Sequence, residues 1–373
     1  MVTIAERERR YAKLRGAMKE LGYHVVIALS TNDEGERGYL RYLTGHHIYS
    51  RWGYAILTQD WDPILVMIAK SQQHWARVMG WCQDIRMAPD PITGVKDVLN
   101  ELAVKEGRVG IAGLNAAMRI TDYLYLKEAF PKLQFEDAGE VFARAMAVKS
   151  GGEIADFRES MAIADAAIRT FEGHLRPGAR VCALIGEVEK TQRTLGVVDT
   201  LNLLSTTAQL NPYLNRPVDR VVEAGDLVIF SVELAGPGGY WVERAEMFSL
   251  GEPGEQVRRQ FASCKEAMEQ GVALLKPGSS PGVGGAYIED RIKNDGFNIG
   301  IWSGHGIGLD IIEQPLVGRG APGQIQENMI IAVHPHVISQ DGKVGVYISD
   351  TFLITPTGGV SPTTLPYQLR IVT

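Results

Sequence analysis

The feature that most constrains this chain is a change of pattern near Lys149. Before it, a helical periodicity over 5–22 ends at Gly22. Short apolar runs follow at HVVIAL (24–29), YAILT (54–58), DPILVMI (62–68) and RVGIAG (108–113), with helical patterns over 70–80 and 94–105 between them. Runs of that length suit buried strands, and strands alternating with helices predict an α/β domain over 1–148. After the two glycines of MAVKSGGEI comes a long helical pattern with Ile154, Phe157, Met161, Ile168 and Phe171 on one side. Helical stretches at 153–173, 182–195, 255–274 and 283–294 then accompany the apolar strands DLVIFSVEL (226–234), MIIAVHPHV (329–337) and VYISDTFLIT (346–355). Antiparallel strands with helices segregated to one side predict an α+β domain over 149–373. A chain of 373 residues is also too long for a single hydrophobic core.

Bulk properties exclude several classes of function. A net charge of −6 gives no basic surface for nucleic acid. The N-terminus, MVTIAERERRYAKLRGAM, is charged and amphipathic and lacks the apolar centre of a signal peptide; no later stretch is long enough to span a membrane. The expectation is a soluble, cytoplasmic protein. Cys82, Cys182 and Cys264 lie far apart with no CxxC pairing, which argues against a disulfide scaffold or a structural zinc site and suits small buried hydrophobes.

The segment richest in chemistry is SGHGIGLDIIEQP, residues 303–315, where Gly304, Gly306 and Gly308 flank His305 and allow tight turns. It resembles the "GHGIGL" segment of the aminopeptidase P, prolidase and creatinase family. Other blocks follow in that family's order: RYLTG (41–45) and RWGYAIL (51–57), KSGGEIADFRESMAIADAAI (149–168), EAGDLVIFSVELAGPGGYWVERAEMFSLGEP (223–253), ENMIIAVHPHV (327–337) and GVYISDTFLIT (345–355). The resemblance covers nearly the whole chain. It implies a pita-bread C-terminal domain preceded by a smaller creatinase-type α/β domain.

The same resemblance implies that the family's metal site has been rewritten. Its dinuclear members use two aspartates, a histidine and two glutamates. The matching positions here are Glu233, Glu243, His305, His334 and Ser349, with Asp350 retained beside the last. The family's second histidine is Ile312, although Glu313 and Pro315 remain. The acid/base histidine of creatinase matches Leu210, and the arginine after the second aspartate matches Glu246. Two carboxylates and two histidines balance one another when the histidines are protonated, so no cofactor is required. The leading expectation is therefore a metal-independent hydrolase of a non-peptide C–N bond in a small polar molecule. His305 would be its base, Glu233 or Glu243 would orient it, and His334 would donate a proton or stabilise an oxyanion. One alternative is a mononuclear, Xaa-Pro-peptidase-like hydrolase with Glu233, Glu243, His305 and His334 as ligands; others are a lyase or decarboxylase, or a binding protein without catalysis. Tyr49, Arg51, Trp52, Tyr240 and His336 are the candidate substrate-binding residues. Residues 334 and 336, two apart in a strand, are expected to face one side. The resemblance further implies a homodimer, acting on a small molecule rather than a nucleic acid or a membrane.

Overall fold

The computed structural model describes residues 3–31, 37–207 and 212–373. The chain forms two compact units, Met1–Met146 and Ala147–Thr373.

The first unit opens with α1 (Ile4–Leu21). Thr3 caps it by accepting from the Glu6 amide, and it closes at Gly22, whose φ of 77° favours glycine. The strands are β1 (Val25–Thr31), β2 (Trp52–Thr58), β3 (Ile64–Met67), β4 (Asp84–Met87), β5 (Gly107–Ala112) and β6 (Leu133–Asp137). They form one sheet in the order β4-β3-β2-β1-β5-β6. Antiparallel ladders join β1, β2 and β3, and parallel ones join the rest. Helices α2 (Gly38–Thr44), α3 (Lys70–Met79), α4 (Pro91–Glu101) and α5 (Ile120–Ala129) link strands of this sheet, and α6 (Gly139–Ala147) follows β6. β1 reads as a continuous apolar run because both of its faces are buried.

The second unit contains α7 (Gly151–His174), α8 (Val181–Thr194), α9 (Glu255–Ala273) and α10 (Pro281–Asn294). Its long strands are β7 (Asp199–Thr207), β8 (Leu227–Ala235) and β9 (Trp241–Leu250). Shorter ones follow: β10 (Asn298–Ile299), β11 (Gly304–Gly306), β12 (Glu313–Val317), β13 (Ile330–Val333), β14 (His336–Ile338), β15 (Gly345–Tyr347), β16 (Asp350–Thr355), β17 (Gly358–Val360) and β18 (Arg370–Val372). These build sheets ordered β18-β9-β8-β7, β12-β11-β13-β16-β17 and β10-β14-β15.

The helices are not gathered on one side. β8 sends Phe230 and Val232 into a core with Phe157, Phe171 and Leu184 of α7 and α8, while Ile229 enters a second core with Phe261, Met268 and Ile288 of α9 and α10. Both faces of β8 and β9 are therefore buried, so β8 is apolar apart from Ser231 and Glu233, while β9 carries Glu243, Arg244 and Glu246 into the interior. Two expected strands are interrupted. MIIAVHPHV breaks between β13 and β14, where Pro335 has no amide hydrogen to continue the ladder. VYISDTFLIT breaks at Ile348–Ser349, where Ser349 leaves the short sheet and bridges to Ala245 of β9.

Cys82 and Cys264 are buried as expected, but Cys182 is exposed, because it sits on the solvent side of the first turn of α8. No helix among the described residues is long and apolar enough to cross a membrane.

Candidate active site

The site is assembled from strands far apart in sequence. Glu243 lies mid-β9, directly across the antiparallel ladder from Glu233 of β8. Side chains alternate along a strand, so Glu243 and Ala245 share one face while Arg244 and Glu246 share the other. His305 is the centre of β11, squeezed between β12 and β13. Neither flanking glycine has room for a side chain: a Cβ on Gly304 would lie 2.3 Å from the Ala332 carbonyl oxygen, and one on Gly306 would lie 2.4 Å from that of Gln314. A register shift between His305 and Gly306 re-aims the strand at this point. His334 follows β13, its amide bonded to the Ser303 carbonyl at 2.9 Å.

These three side chains converge. One ligand atom from each of Glu243, His305 and His334 lies within 4.8 Å of the others, and all three residues are buried. His305 Nδ1 is 2.8 Å from the Gly306 carbonyl oxygen. A carbonyl only accepts, so Nδ1 carries the proton and donates it there. Nε2 then points at Glu243 Oε2, 3.5 Å away. In a neutral ring that nitrogen is an acceptor facing an acceptor, so the pair is stable only with a proton or a cation between them. His334 Nδ1 has no hydrogen-bond partner among the described residues. Trp302 stacks on His305 at 5.0 Å and meets His334 edge-on at 5.4 Å.

Tyr347, at the end of β15, completes the group by donating to Glu243 Oε1 at 2.5 Å. Burial works against the charge on Glu243, but the pull of His334 and His305 and the Tyr347 hydroxyl outweigh it and hold the carboxyl at about 2. Burial pushes His334 below its ordinary value, with the charge of Glu243 opposing. Burial thus disfavours the charged form of His334 on which that pull depends, but Glu243 keeps the Tyr347 donor in either state of the imidazole. The doubly protonated histidine pair expected from charge balance is thus disfavoured at His334, because a buried imidazolium loses its hydration. Tyr347 itself is raised well above its normal range by burial and by Glu243 and Glu233, so it stays a donor.

The residues do not fit a pair of metal ions. Ser349 brings a hydroxyl where a second bridging carboxylate is needed, and Asp350 is turned to Arg244 Nη1 at 2.9 Å and to the Tyr367 hydroxyl. They do fit a single cation. Two imidazoles and one carboxylate are a suitable donor set for a divalent transition metal, and the Nδ1–H···O=C bond of His305 is the outer support such a ligand requires.

The other candidates have contacts of their own. Glu233 lies beside the trio but outside it; Ser231 Oγ is 3.4 Å from its Oε1. Tyr240 gives its hydroxyl to Glu153 at 2.7 Å and sits in the core. His336 gives a ring nitrogen to the Pro212 carbonyl at 2.7 Å, and burial lowers it to about 4. His334 and His336 both pack on the Tyr347 ring. Tyr49, Arg51 and Trp52 belong to the first unit. There Tyr49 is exposed, Arg51 adopts a φ of 65° and Trp52 lies under the Arg119 guanidinium at 4.5 Å. Leu210 lies outside the described residues. Sequence reasoning missed Tyr347 and Trp302. Tyr347 was within reach, because it stands two residues before Ser349 in the one strand expected over VYISDTFLIT. Trp302 carries no such signal.

Known proteins share this architecture. Over 365 residues the chain is 25% identical to an uncharacterised peptidase of Bacillus subtilis, covering 96% of this chain and 99% of that one. Over 269 residues it is 26% identical to the Xaa-Pro dipeptidase of Pyrococcus furiosus, covering 70% and 75% of the two. The crystal structure of the X-Pro aminopeptidase from Thermotoga maritima superposes with a TM-score of 0.84 at 20% identity, over 97% of this chain and 99% of that one. Residues 10–146 match the Creatinase/Prolidase N-terminal domain, and residues 155–356 match Metallopeptidase family M24. The chain belongs to metallopeptidase family M24, with a creatinase/prolidase N-terminal domain.

Proposed function

We propose that the protein is a hydrolase of C–N amide bonds, peptidase-like in the manner of its Xaa-Pro dipeptidase relatives, whose pocket takes one divalent cation on Glu243, His305 and His334. The observation that carries this reading is the convergence of three buried ligand atoms, one each from Glu243, His305 and His334, within 4.8 Å of one another. A cation bound there supplies Lewis acidity to the scissile carbonyl. The protein's own part is distinct. His305 is locked by its bond to Gly306, Glu243 is kept ionised, and Trp302 covers one side of both imidazoles. Glu233 is the carboxylate assigned to proton transfer. It takes a proton from the attacking water as oxygen adds to the carbonyl carbon, and passes it to the nitrogen as the C–N bond breaks.

A second reading keeps the site free of metal, with a proton in place of the cation and a small non-peptide amide as substrate. It is favoured by the contact of His305 with Glu243, since a protonated His305 makes an ion pair with that carboxylate unaided, and by the loss of a carboxylate at Ser349. Metal analysis of protein purified without chelator, together with turnover of an Xaa-Pro dipeptide panel and of small non-peptide amides, separates the two. One equivalent of metal and chelator-sensitive dipeptide cleavage is the expected result. Chelator-resistant cleavage of non-peptide amides by metal-free protein would replace it with the second reading. Glu243→Gln is expected to lower activity by at least a hundredfold while the fold is retained.

A further inference from the structure

Resting on the single-cation reading above, we infer that Tyr347 is a positioning residue that holds Glu243 as a one-oxygen ligand and so limits the pocket to one cation. The carboxylate has two oxygens, and each is committed. Oε1 receives the Tyr347 hydroxyl at 2.5 Å, and Oε2 faces His305 Nε2 at 3.5 Å. A carboxylate that bridges two cations in the common way offers one oxygen to each, and here the Tyr347 hydroxyl already uses a lone pair of Oε1 and stands beside that oxygen, so a second cation there would have to compete with it.

The tyrosine is held in this role from several sides. It is 4% exposed, its ring lies between His334 at 6.0 Å and His336 at 5.3 Å, and β15 ties Tyr347 to His336 in register. His336 is in turn bonded to the Pro212 carbonyl. A histidine that sequence reasoning places in substrate binding thereby becomes part of the packing that aims the phenol. Two residues on, Ser349 stands beside β9 through its bridge to Ala245 and brings no second carboxylate. The phenol at 347 and the hydroxyl at 349 act together. One occupies an oxygen of Glu243, and the other withholds the acid that a second cation would need.

The test is equilibrium dialysis against Co²⁺, with cobalt quantified in wild type, Tyr347→Phe, Ser349→Glu and the double variant, and the d–d absorption recorded for each. Wild type and Ser349→Glu are expected to take one equivalent. Tyr347→Phe should still take one, but with affinity weakened about tenfold, the scale of losing an outer-shell support, and with a shifted cobalt spectrum. The double variant should approach two equivalents. Ser349→Asp replaces the glutamate should that side chain prevent folding, judged by circular dichroism and thermal melting. Unchanged affinity and spectrum in Tyr347→Phe, with the double variant still at one equivalent, would overturn the role of Tyr347 and leave the single-cation site standing. Wild type that binds no cobalt would instead overturn the single-cation reading, and this inference with it.

Discussion

At the scale of single residues, the protein uses burial to decide which groups carry charge. Glu243 remains ionised because the Tyr347 hydroxyl and the imidazoles of His334 and His305 gather around it, whereas His334 and His336 are driven toward neutrality by burial. The first unit contains a cleaner case. His47 is lowered to about 3, first by burial and then by Arg41, Arg37 and His46. Its folded value lies below the unfolded value of about 6.5. The unfolded state therefore binds more protons between these limits, and the stabilising effect is present above pH 6.5 and lost as pH falls toward 3. Wild type should lose about 1–2 kcal/mol between pH 7.5 and pH 5 relative to His47→Gln, allowing for partial solvent screening. Urea unfolding of both proteins across that range would show it, and parallel pH profiles would refute it.

At the scale of elements, the start of the second unit is set by a reciprocal cap. Ser150 Oγ accepts from the Glu153 amide at 3.2 Å, and Glu153 Oε2 accepts from the Ser150 amide at 2.7 Å. The other oxygen of Glu153 receives Tyr240, so the cap of α7 is tied to the loop that leads into β9. Ser150→Ala should cost about 1 kcal/mol and about 2–4 °C in melting temperature, with the metal content unchanged. The helix pattern and SGGE string made this start legible in sequence. The strand breaks were harder to read: Pro335 signals one, whereas the bend at Ser349 depends on a bridge to Ala245, more than a hundred residues away.

At the scale of the whole second unit, one buried network joins the helices, the strands and the C-terminal segment. Arg244 is fully buried among Asp350 at 2.9 Å, Asp165 at 3.6 Å and Glu246, while Arg370 reaches Glu246 and Glu172. Asp165 in turn accepts from Thr363 and Thr364. Arg244→Met would leave three carboxylates without their shared cation, at a cost of about 3–5 kcal/mol. Burial already raises Glu246 and Asp350. Groups raised in the folded state stabilise it below the unfolded pKa and lose that effect as pH rises. The variant should therefore be closer to wild type at pH 5 than at pH 8. Denaturation at both values checks this, and an equal loss at both would contradict it.

The order of blocks from RYLTG to GVYISDTFLIT, and the glycines around His305, were enough to determine the fold and the family, because backbone demands are written locally as spacing and residue type. The same text located Glu243, His305 and His334 by resemblance. What it left open were the partners: that Tyr347 takes one oxygen of Glu243, that His336 serves Pro212 and that Asp350 serves Arg244. Those choices join residues up to 124 positions apart, and a hydrogen bond or a buried charge is decided by which groups the packed strands bring within reach. Only the tertiary structure determines that.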